Sequence, residues 1–374
     1  MNMRIAIQAA DLDAKRVDGT RTYIRELLRR FGDIDRDDTF FICHKGEFNP
    51  ELAPPKLQNY EIIALPGERL WMQTAFAQAL YRMRPDRIFI PVQAAPVTTP
   101  PGVEIVATVH DLAFRFFPKT FPAASRAKLN LLLGVLISKA TRIIAVSEST
   151  KADIMRFYPH VPESKITVIH HGVNADFFSR TIDEAELGAV LNRYGLSSGS
   201  YALYVGAIQP RKNLIRLVSA FEKAKKKHPE MKLVIVGEKA WLSDDIVSRM
   251  ERSRFAADIV RVGQAPMSEL PVWYRGARCF AFPSLYEGFG LPVLEAFASG
   301  TPVLTSNISS LPEVGGDAAL YVDPYLENDI AEKLSLLWED ESLRERLIAK
   351  GYERVKLFSW DRCAEETLDC IRNV

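Results

Sequence analysis

The sequence predicts an α/β protein that consists of two domains with parallel sheets. Its 374 residues exceed what one ordinary hydrophobic core organises, so two domains are the first expectation. Short apolar runs alternate with segments of helical periodicity along nearly the whole chain, and this alternation is typical of parallel sheets covered by helices. Hydrophobic residues make up 47% of the chain and charged residues 25%, which is the composition of a soluble globular protein.

Composition and charge narrow the function classes. The formal net charge is +1, so no global field attracts nucleic acid. No apolar run reaches the length of a membrane span. The four cysteines, Cys43, Cys279, Cys363 and Cys370, are scattered without a CxxC pair, so we expect reduced thiols. The first strand begins at Met3 with no signal peptide ahead of it, which favours a cytoplasmic protein.

The first half of the chain predicts strands that alternate with helices. Residues 3–8 form the first strand, and a polar loop leads to Gly19, which begins a helix with one apolar side. This βα unit lacks the GxGxxG fingerprint, which counts against a Rossmann dehydrogenase. Residues 91–101 are rich in proline and cannot be regular. The other predicted elements are strands at 39–43, 60–64, 87–91, 104–109, 142–147 and 166–169 and helices at 70–81, 123–137 and 149–158.

The second half continues the same alternation. Residues 181–200 are polar, carry three glycines and predict an interdomain connection. No repeat of 20–50 residues is visible along the chain. The predicted elements are strands at 201–206, 232–237, 258–263, 278–282, 302–305 and 320–323 and helices at 214–227, 243–255, 269–275, 292–300, 327–339, 343–356 and 360–371.

The most informative stretch is 283–300, a glycine loop between a buried strand and a helix. Gly288 and Gly290 let the backbone come close to a ligand. The free N–H groups of the helix start, together with the helix dipole, predict a phosphate site. Glu287 lies in the loop and Glu295 about one turn into the helix, so we expect the two carboxylates to flank the bound group.

Carboxylates beside a phosphate site need a reason, because like charges repel. Sugar hydroxyls supply one, since a carboxylate is a strong acceptor for them. A ligand with phosphates in the middle and a sugar at each end fits the whole pattern, and this ligand is a nucleotide-sugar. From this loop alone, a strand-to-helix turn with two solvated glutamates remains an alternative.

Two further loops carry candidate site residues. Arg211 and Lys212 stand at the start of a helix, where the dipole is already positive, and that placement is unfavourable unless an anion binds there. His110 and Asp111 follow a predicted strand, at the edge where open α/β sheets bind ligands. A lone histidine is more often structural, but this position favours a function.

The adjacent His170 and His171 have no carboxylate or cysteine at ligand spacing, so no metal site is expected.

The segment between Asp111 and Glu148 contains no acidic residue. It is read either as a buried helix with a solvated basic edge, which is favoured, or as a surface for anionic phospholipid or a lipid diphosphate. Its cations are Arg115, Lys119, Arg126, Lys128, Lys139 and Arg142, and its phenylalanines are Phe114, Phe116, Phe117 and Phe121.

The run from Tyr286 to Gly300 resembles the donor-site signature of the retaining GT-B glycosyltransferases of family four. It has a glutamate, seven residues and a second glutamate, with Gly-Phe-Gly-Leu-Pro between them. The resemblance covers nearly the whole chain, and the run from Val109 to Phe114 is similar to bacterial mannosyltransferases. It implies GT-B architecture, with two doubly wound, Rossmann-like domains facing a central cleft. The implied parts are an acceptor-binding domain at 1–180, a connection at 181–200, a nucleotide-sugar-binding domain at 201–356 and a C-terminal helix at 357–374 that crosses back.

The resemblance also implies roles for individual residues. His110 would hydrogen-bond and position the transferred sugar, Glu287 would touch that sugar, and Glu295 would hold the ribose hydroxyls. Ala207 replaces the arginine that the family has after its glycine, which leaves the role of Arg211 less defined. For Gly19, a simple turn is the alternative. The implied donor-binding residues are Gly19, Gly206, Arg211, Lys212, Val262, Gly263, Gly288, Phe289, Gly290, Leu291 and Glu295.

The expected function is transfer of a sugar to a hydroxyl group of a glycan or lipid-linked acceptor, with retention, in polysaccharide or glycoconjugate synthesis. Mannose from GDP-mannose is the preferred donor, and neither a metal nor another cofactor is expected. A peripheral position at the inner face of the cytoplasmic membrane stays open. The alternatives are a nucleotide-sugar epimerase on the same fold and a non-catalytic nucleotide-sugar-binding protein, which could dispense with His110.

Overall fold

A computed structural model describes residues 2–67 and 70–373 of the chain. The chain forms two compact units, and neither is continuous in sequence. The first unit holds the chain up to Leu112, the segment Ala123–Gly172 and the segment from Trp360 onward. The second holds Ala113–Pro122 and Val173–Ser359.

The described residues of the first unit contain a sheet of seven parallel strands in the order β3-β2-β1-β4-β5-β6-β7. The chain winds outward from β1 to β3 and then continues on the other side of β1. The topological switch point, where such sheets bind ligands, therefore lies between β1 and β4. The strands are β1 (Arg4–Gln8), β2 (Thr39–His44), β3 (Tyr60–Ala64), β4 (Arg87–Ile90), β5 (Glu104–Val109), β6 (Arg142–Ala145) and β7 (Ile166–Val168).

The second unit repeats this plan with six parallel strands in the order β10-β9-β8-β11-β12-β13. Its switch point lies between β8 and β11. Every residue of β8 is buried, as expected for a parallel strand covered on both faces. The strands are β8 (Tyr201–Val205), β9 (Lys232–Val236), β10 (Ile259–Gly263), β11 (Cys279–Phe282), β12 (Val303–Ser306) and β13 (Ala319–Val322).

Helices connect the strands of both sheets. Those up to the end of the first sheet are α1 (Gly19–Leu28), α2 (Phe31–Ile34), α3 (Ala75–Met83), α4 (Ala113–Phe116), α5 (Ala123–Lys139) and α6 (Glu148–Phe157). The remainder are α7 (Ala175–Ser179), α8 (Glu184–Leu191), α9 (Leu214–Lys225), α10 (Asp244–Glu251), α11 (Leu270–Gly276), α12 (Leu291–Ala298), α13 (Leu311–Gly315), α14 (Glu327–Glu339), α15 (Glu341–Val355) and α16 (Trp360–Arg372).

The last helix, α16, belongs to the first unit although the second unit precedes it in sequence. Its first residue, Trp360, is buried. Its ends are held by ion pairs of Asp361 with Arg30 and of Arg372 with Asp35. Apolar burial and charge pairing therefore both fix α16 on this unit.

The predicted fold class, α/β with two doubly wound parallel sheets, is confirmed.

The helix predicted from residue 70 begins only at Ala75. Leu70 is left-handed with φ 53°, and Thr74 lies outside the helical region with φ −115° and ψ −89°, so a separate turn precedes the helix.

Other stretches also differ from the sequence predictions. Residues 181–200, predicted as an interdomain connection, contain the helix α8, which was not predicted and whose C-terminal Leu191 is buried. The short helices α2, α4, α7 and α13 were not predicted. The helix α5 is buried only at Leu133, Leu136 and Ile137, so less of it is buried than the favoured interpretation, a buried helix with a solvated basic edge, implied.

All four cysteines are free thiols. Within residues 2–67 and 70–373, none of the helices combines the length and the apolar character that a membrane crossing needs.

Candidate active site

At the switch point of the second unit, the loops that follow β8 and β11 are joined through their backbones. The N–H of Leu285 donates to the carbonyl oxygen of Arg211 over 2.8 Å. The side-chain amide of Asn213 donates to the carbonyl oxygens of Pro283 and Pro324 over 2.9 and 2.7 Å. Asn213 is left-handed with φ 63°, a conformation that asparagine tolerates better than most residues. The two loops singled out in the sequence therefore form one site.

Arg211, Lys212 and Glu287 form an ion triad in this site. Oε2 of Glu287 lies 2.9 Å from Nη1 of Arg211, and Oε1 lies 2.6 Å from Nζ of Lys212. Glu287 is only 7% exposed and Lys212 only 8%. Burial alone would raise the pKa of Glu287, but the charges of Lys212 and Arg211 outweigh it and lower the pKa to about 2. Glu287 is therefore ionised at neutral pH.

The ion triad changes the interpretation of the two cations. The sequence required an anion beside Arg211 and Lys212, and the structure places the carboxylate of Glu287 there. Two cations and one carboxylate leave one net positive charge for an anionic ligand. A bound diphosphate would either share these cations with Glu287 or replace Glu287 as their partner. In the second case the carboxylate of Glu287 would become available to a hydroxyl-bearing group.

The glycine loop after Glu287 is fixed by two serines from the connection between β12 and α13. The hydroxyl oxygen of Ser310 lies 2.9 and 2.6 Å from the carbonyl oxygens of Glu287 and Phe289, which share its single hydrogen as acceptors. The N–H of Glu287 donates to the hydroxyl of Ser309 over 3.0 Å. Gly290 adopts φ +122°, which favours glycine, and α12 begins at the next residue, Leu291. The loop and helix start predicted from sequence are present.

Ser309 and Ser310 were missed by the sequence interpretation. They follow β12, which is the neighbour of β11, so they lie at the same carboxyl edge of the sheet. That position was the signal that could have identified them.

Glu295 lies in the second turn of α12. Its Oε2 accepts a hydrogen bond of 2.8 Å from the hydroxyl of Tyr274. Burial raises the pKa of Tyr274 well above its ordinary value, and the charge of Glu295 adds to this effect, so the phenol remains protonated and donates. The bond fixes the orientation of the carboxylate.

Three strands of the second unit carry the same dipeptide, Val-Gly, at or directly after their carboxyl ends. The N–H of Gly237, after β9, donates to the carbonyl oxygen of Gly263 over 2.7 Å. A Cβ atom on Gly237 would lie 2.0 Å from the carbonyl oxygen of Gly206, so this position requires glycine. Val262 is half-buried beside Gly263. The predicted Gly206 and Gly263 are thus linked through Gly237, which the sequence interpretation missed although the repeated dipeptide marks it.

The first unit has a cavity at its own switch point. It has a volume of about 230 Å³ and is formed by residues at the carboxyl ends of β1, β4 and β5. The predicted Gly19 is the exposed first residue of α1, between two of the lining residues. The residues that line this first-unit cavity are Asp11, Asp18, Thr20, Arg21, Val92, Gln93, His110 and Asp111.

His110 is held in one orientation and in its neutral form. Its Nε2 donates to the carbonyl oxygen of Pro91 over 2.8 Å, and its ring meets the ring of Tyr23 edge-on at 5.2 Å. Burial lowers the pKa of His110, and the carboxylates around the cavity offset this only in part. Because a carbonyl can only accept, Nε2 carries the hydrogen and Nδ1 of the neutral ring is an acceptor.

A stack of rings stands behind His110. His171 lies 4.8 Å from Tyr23 and 5.6 Å from Trp360, nearly parallel to both. Its own ring centroid is 5.6 Å from that of His110. Burial lowers the pKa of His171 well below its ordinary value, and His110 and His170 add to this effect. The helix α16 therefore contributes Trp360 to the packing of the predicted catalytic histidine, which the sequence did not indicate.

In the part of the chain that the structure describes, no group of three or more His, Cys, Asp or Glu residues could hold a metal ion.

Two family models together match most of the chain. The model described as "Glycosyltransferase Family 4" matches residues 17–177, and that described as "Glycosyl transferases group 1" matches residues 196–354. The chain has two doubly wound sheets and a site built from a strand, a glycine loop and a helix. Together with these matches, this architecture places the chain in the class of GT-B glycosyltransferases.

Relatives place the chain within that class. The O-antigen chain mannosyltransferase B of Escherichia coli is 34% identical over 271 residues, which cover 71% of this chain and 70% of that protein. The O-antigen chain mannosyltransferase RfbU of Salmonella typhimurium is 30% identical over 219 residues, covering 58% of this chain and 56% of that protein. The chain belongs to the group 1 and family 4 glycosyltransferases, and the predicted family is confirmed.

Solved structures agree with this assignment at the level of the fold. Anabaena HepE in complex with UDP and glucose has a TM-score of 0.77 at 14% identity and is matched over the full length of both chains. WaaG, a glycosyltransferase involved in lipopolysaccharide biosynthesis, has a TM-score of 0.73 at 15% identity, covering 98% of this chain and 99% of that chain.

Proposed function

We propose that this glycosyltransferase moves a mannosyl group from GDP-mannose to a hydroxyl group of a glycan or lipid-linked acceptor, with retention of the anomeric configuration, in polysaccharide or glycoconjugate synthesis. The observation that carries the proposal is the ion triad at the switch point of the second unit, beside the glycine loop and the start of α12. The choice of mannose is supported by the two O-antigen mannosyltransferases among the relatives and by the run from Val109 to Phe114.

The donor diphosphate would bind at Arg211 and Lys212. Arg211 offers a planar fork for two phosphate oxygens and Lys212 a point charge. The N–H groups at the start of α12, near Leu291, would add the positive end of the helix dipole. These groups would stabilise the charge that develops on the departing phosphate. In this proposal the nucleotide-sugar is the substrate and no metal or other cofactor takes part, so turnover should continue in the presence of a chelator.

The carboxylates and His110 would bind hydroxyl groups. Glu287, released by the diphosphate, would touch the transferred sugar, and Glu295 would hold the ribose. The neutral His110 would accept a hydrogen bond from a sugar hydroxyl at Nδ1. Val262 and Gly263 would lie beside the base.

Nucleotide preference and product stereochemistry test the proposal. Bound ligand raises stability by mass action, so GDP should raise the melting temperature more than UDP or ADP at equal concentration. NMR of the product from GDP-α-mannose should show an α-mannoside. A larger shift with UDP or ADP would refute the donor, and a β-linked product would refute retention.

A further inference from the structure

The first-unit cavity is suited to hydroxyl groups. It presents three carboxylates, from Asp11, Asp18 and Asp111, together with a threonine hydroxyl, a glutamine amide and the neutral imidazole of His110. Its volume of about 230 Å³ lies below the ~300–1,000 Å³ of pockets that enclose drug-sized ligands. A single sugar ring fits this scale, and carboxylates are strong acceptors for its hydroxyls.

Among the described residues that line this cavity, Arg21 is the only cation, and aspartates already bind it. Its Nη1 pairs with the carboxylate of Asp18. Its Nε donates to the carbonyl oxygen of Asp11 over 3.1 Å, and its Nη2 lies 3.9 Å from the Asp11 carboxylate. The three carboxylates and one guanidinium of the lining give a net charge of −2 while His110 is neutral.

The start of α1, which could otherwise attract a phosphate, is also occupied. The carboxylate of Asp18 caps the helix by accepting the N–H of Arg21 over 3.2 Å. The two features that would attract a phosphate group at this cavity, a cation and a helix N-terminus, are therefore both used by aspartates.

Gln8 provides an independent observation behind Asp11, one of the residues that line the cavity. It is 3% exposed, and its Nε2 donates to Oδ2 of Asp11 over 3.3 Å. Its amide oxygen has no hydrogen-bond partner among the described residues. A buried acceptor without a partner costs free energy, and a hydroxyl group bound next to Asp11 would remove that cost.

We infer that the part of the acceptor substrate that binds in this cavity is an uncharged sugar ring with several hydroxyls, and that the cavity excludes a ring that carries a phosphate. The inference rests on the proposed function and specifies its acceptor. A phosphate carries a charge of about −1.5 to −2 at neutral pH, so the net charge of the lining repels it. In a lipid-linked acceptor, the diphosphate then lies beyond the sugar in the cavity.

Saturation-transfer NMR on the full chain tests this inference. The probes are mannose, glucose and galactose and their 6-phosphates, with GDP present. At least one neutral sugar should show transfer, and its 6-phosphate should bind at least about tenfold more weakly. A 6-phosphate that binds as well as its neutral partner, or the absence of transfer to every neutral sugar, would refute the inference. The GDP resonances report on the donor site in the same sample, so their lack of transfer would count against the proposed function instead.

Variants assign the signal to the cavity. Asp11→Asn with Asp18→Asn removes two charges and keeps the side-chain shapes, and asparagine still caps a helix. This variant should lose transfer to the neutral sugar and bind the 6-phosphate more tightly than the wild type does. Asp33→Asn removes a charge from an exposed position of the same unit and should change neither. Unchanged preference in the double variant would overturn the inference.

Discussion

Glu287 has two roles at the scale of single residues. In the free protein it is the counter-ion of Arg211 and Lys212, and in the proposed complex it contacts the sugar. Removing one partner of a buried ion pair leaves an uncompensated charge, which costs roughly 3–5 kcal/mol. We therefore expect Glu287→Gln to lower the free energy of unfolding by about this amount, measured by chemical denaturation without ligand. Glu345→Gln, at an exposed position, is the matched control.

GDP should stabilise the Glu287→Gln variant more than the wild type, because the diphosphate then supplies the missing anion. Equal stability of the variant and the wild type without ligand would show that the ion triad does not stabilise the fold.

The pH dependence of the same pair of proteins has a definite sign. The pKa of Glu287 falls from the ordinary 4.5 to about 2 in the folded protein. A depressed carboxyl pKa contributes stability above the ordinary value, and this contribution is lost as the pH falls towards the folded pKa. The stability difference between the wild type and Glu287→Gln should therefore shrink between about pH 4.5 and pH 2. A difference that stays constant over this window would contradict the assigned pKa.

The paired cations predict a selective loss of affinity. Replacing Arg211 and Lys212 with alanine should weaken GDP binding far more than guanosine binding, because only GDP carries the diphosphate. Calorimetry with both ligands measures this difference. Lys226→Ala, at an exposed position of the same unit, should leave both affinities unchanged. Equal losses for the two ligands would indicate that the pair is only structural.

His110 should affect turnover rather than nucleotide binding. Misplacing a reacting group by about 1 Å can cost on the order of 10² in rate, so His110→Ala should lower kcat by about that factor. GDP affinity, measured by calorimetry, should stay near the wild-type value. His160→Ala changes an exposed histidine of the same unit and serves as the control. A normal rate in the His110 variant would remove it from the mechanism.

At the scale of elements, α16 is coupled to the packing of His110 through Trp360. Trp360 is 3% exposed and stacks on His171. Truncating a buried tryptophan costs about 3–5 kcal/mol, so we expect Trp360→Ala to destabilise the first unit by that amount in chemical denaturation. Glu365→Ala, on the exposed side of the same helix, should change stability by no more than about 0.5 kcal/mol. Similar effects of the two variants would contradict the packing role.

The strands could be predicted to within one or two residues because a buried parallel strand is a short apolar run between turn residues. Boundaries failed where local conformation decides them, as at Leu70 and Thr74. The segment Ala113–Pro122 groups with the second unit, and its Phe116 stacks on Tyr286 at 5.2 Å. A contact between residues 170 positions apart has no signature in a single sequence.

At the scale of the whole molecule, prediction of the site from the sequence meets the same limit, because contacts between distant residues leave no local pattern. Each member of the ion triad could be picked out from its loop, because cations at a helix start and glutamates beside glycines are locally unusual. Their pairing could not be predicted, since Glu287 is 75 positions from Lys212 in the chain. The stacking of Tyr23, His171 and Trp360 was missed for the same reason: the three residues come from distant segments that meet only in the folded first unit.

The basic, aromatic segment between Asp111 and Glu148 is the part of the molecule that could meet a membrane. The basic, aromatic segment keeps its cations, but its phenylalanines are used inside the protein: Phe114 is buried and Phe121 packs on Trp241 at 5.5 Å. What remains on α5 includes the exposed Lys128 and Leu131, which is 68% exposed. We therefore propose a shallow, mainly electrostatic attachment to anionic lipid rather than aromatic insertion.

Each cation close to an anionic surface contributes about 1 kcal/mol, and salt weakens the contribution. Co-sedimentation with vesicles that contain anionic lipid should therefore be strong at low salt and weak at high salt, and neutral vesicles should bind little. Changing Lys119, Arg126 and Lys128 to glutamine should abolish it, whereas the same change at exposed Lys226 and Lys227 should not. If the wild type stays in the supernatant at low salt, the segment is an ordinary basic helix edge and the acceptor is reached from solution.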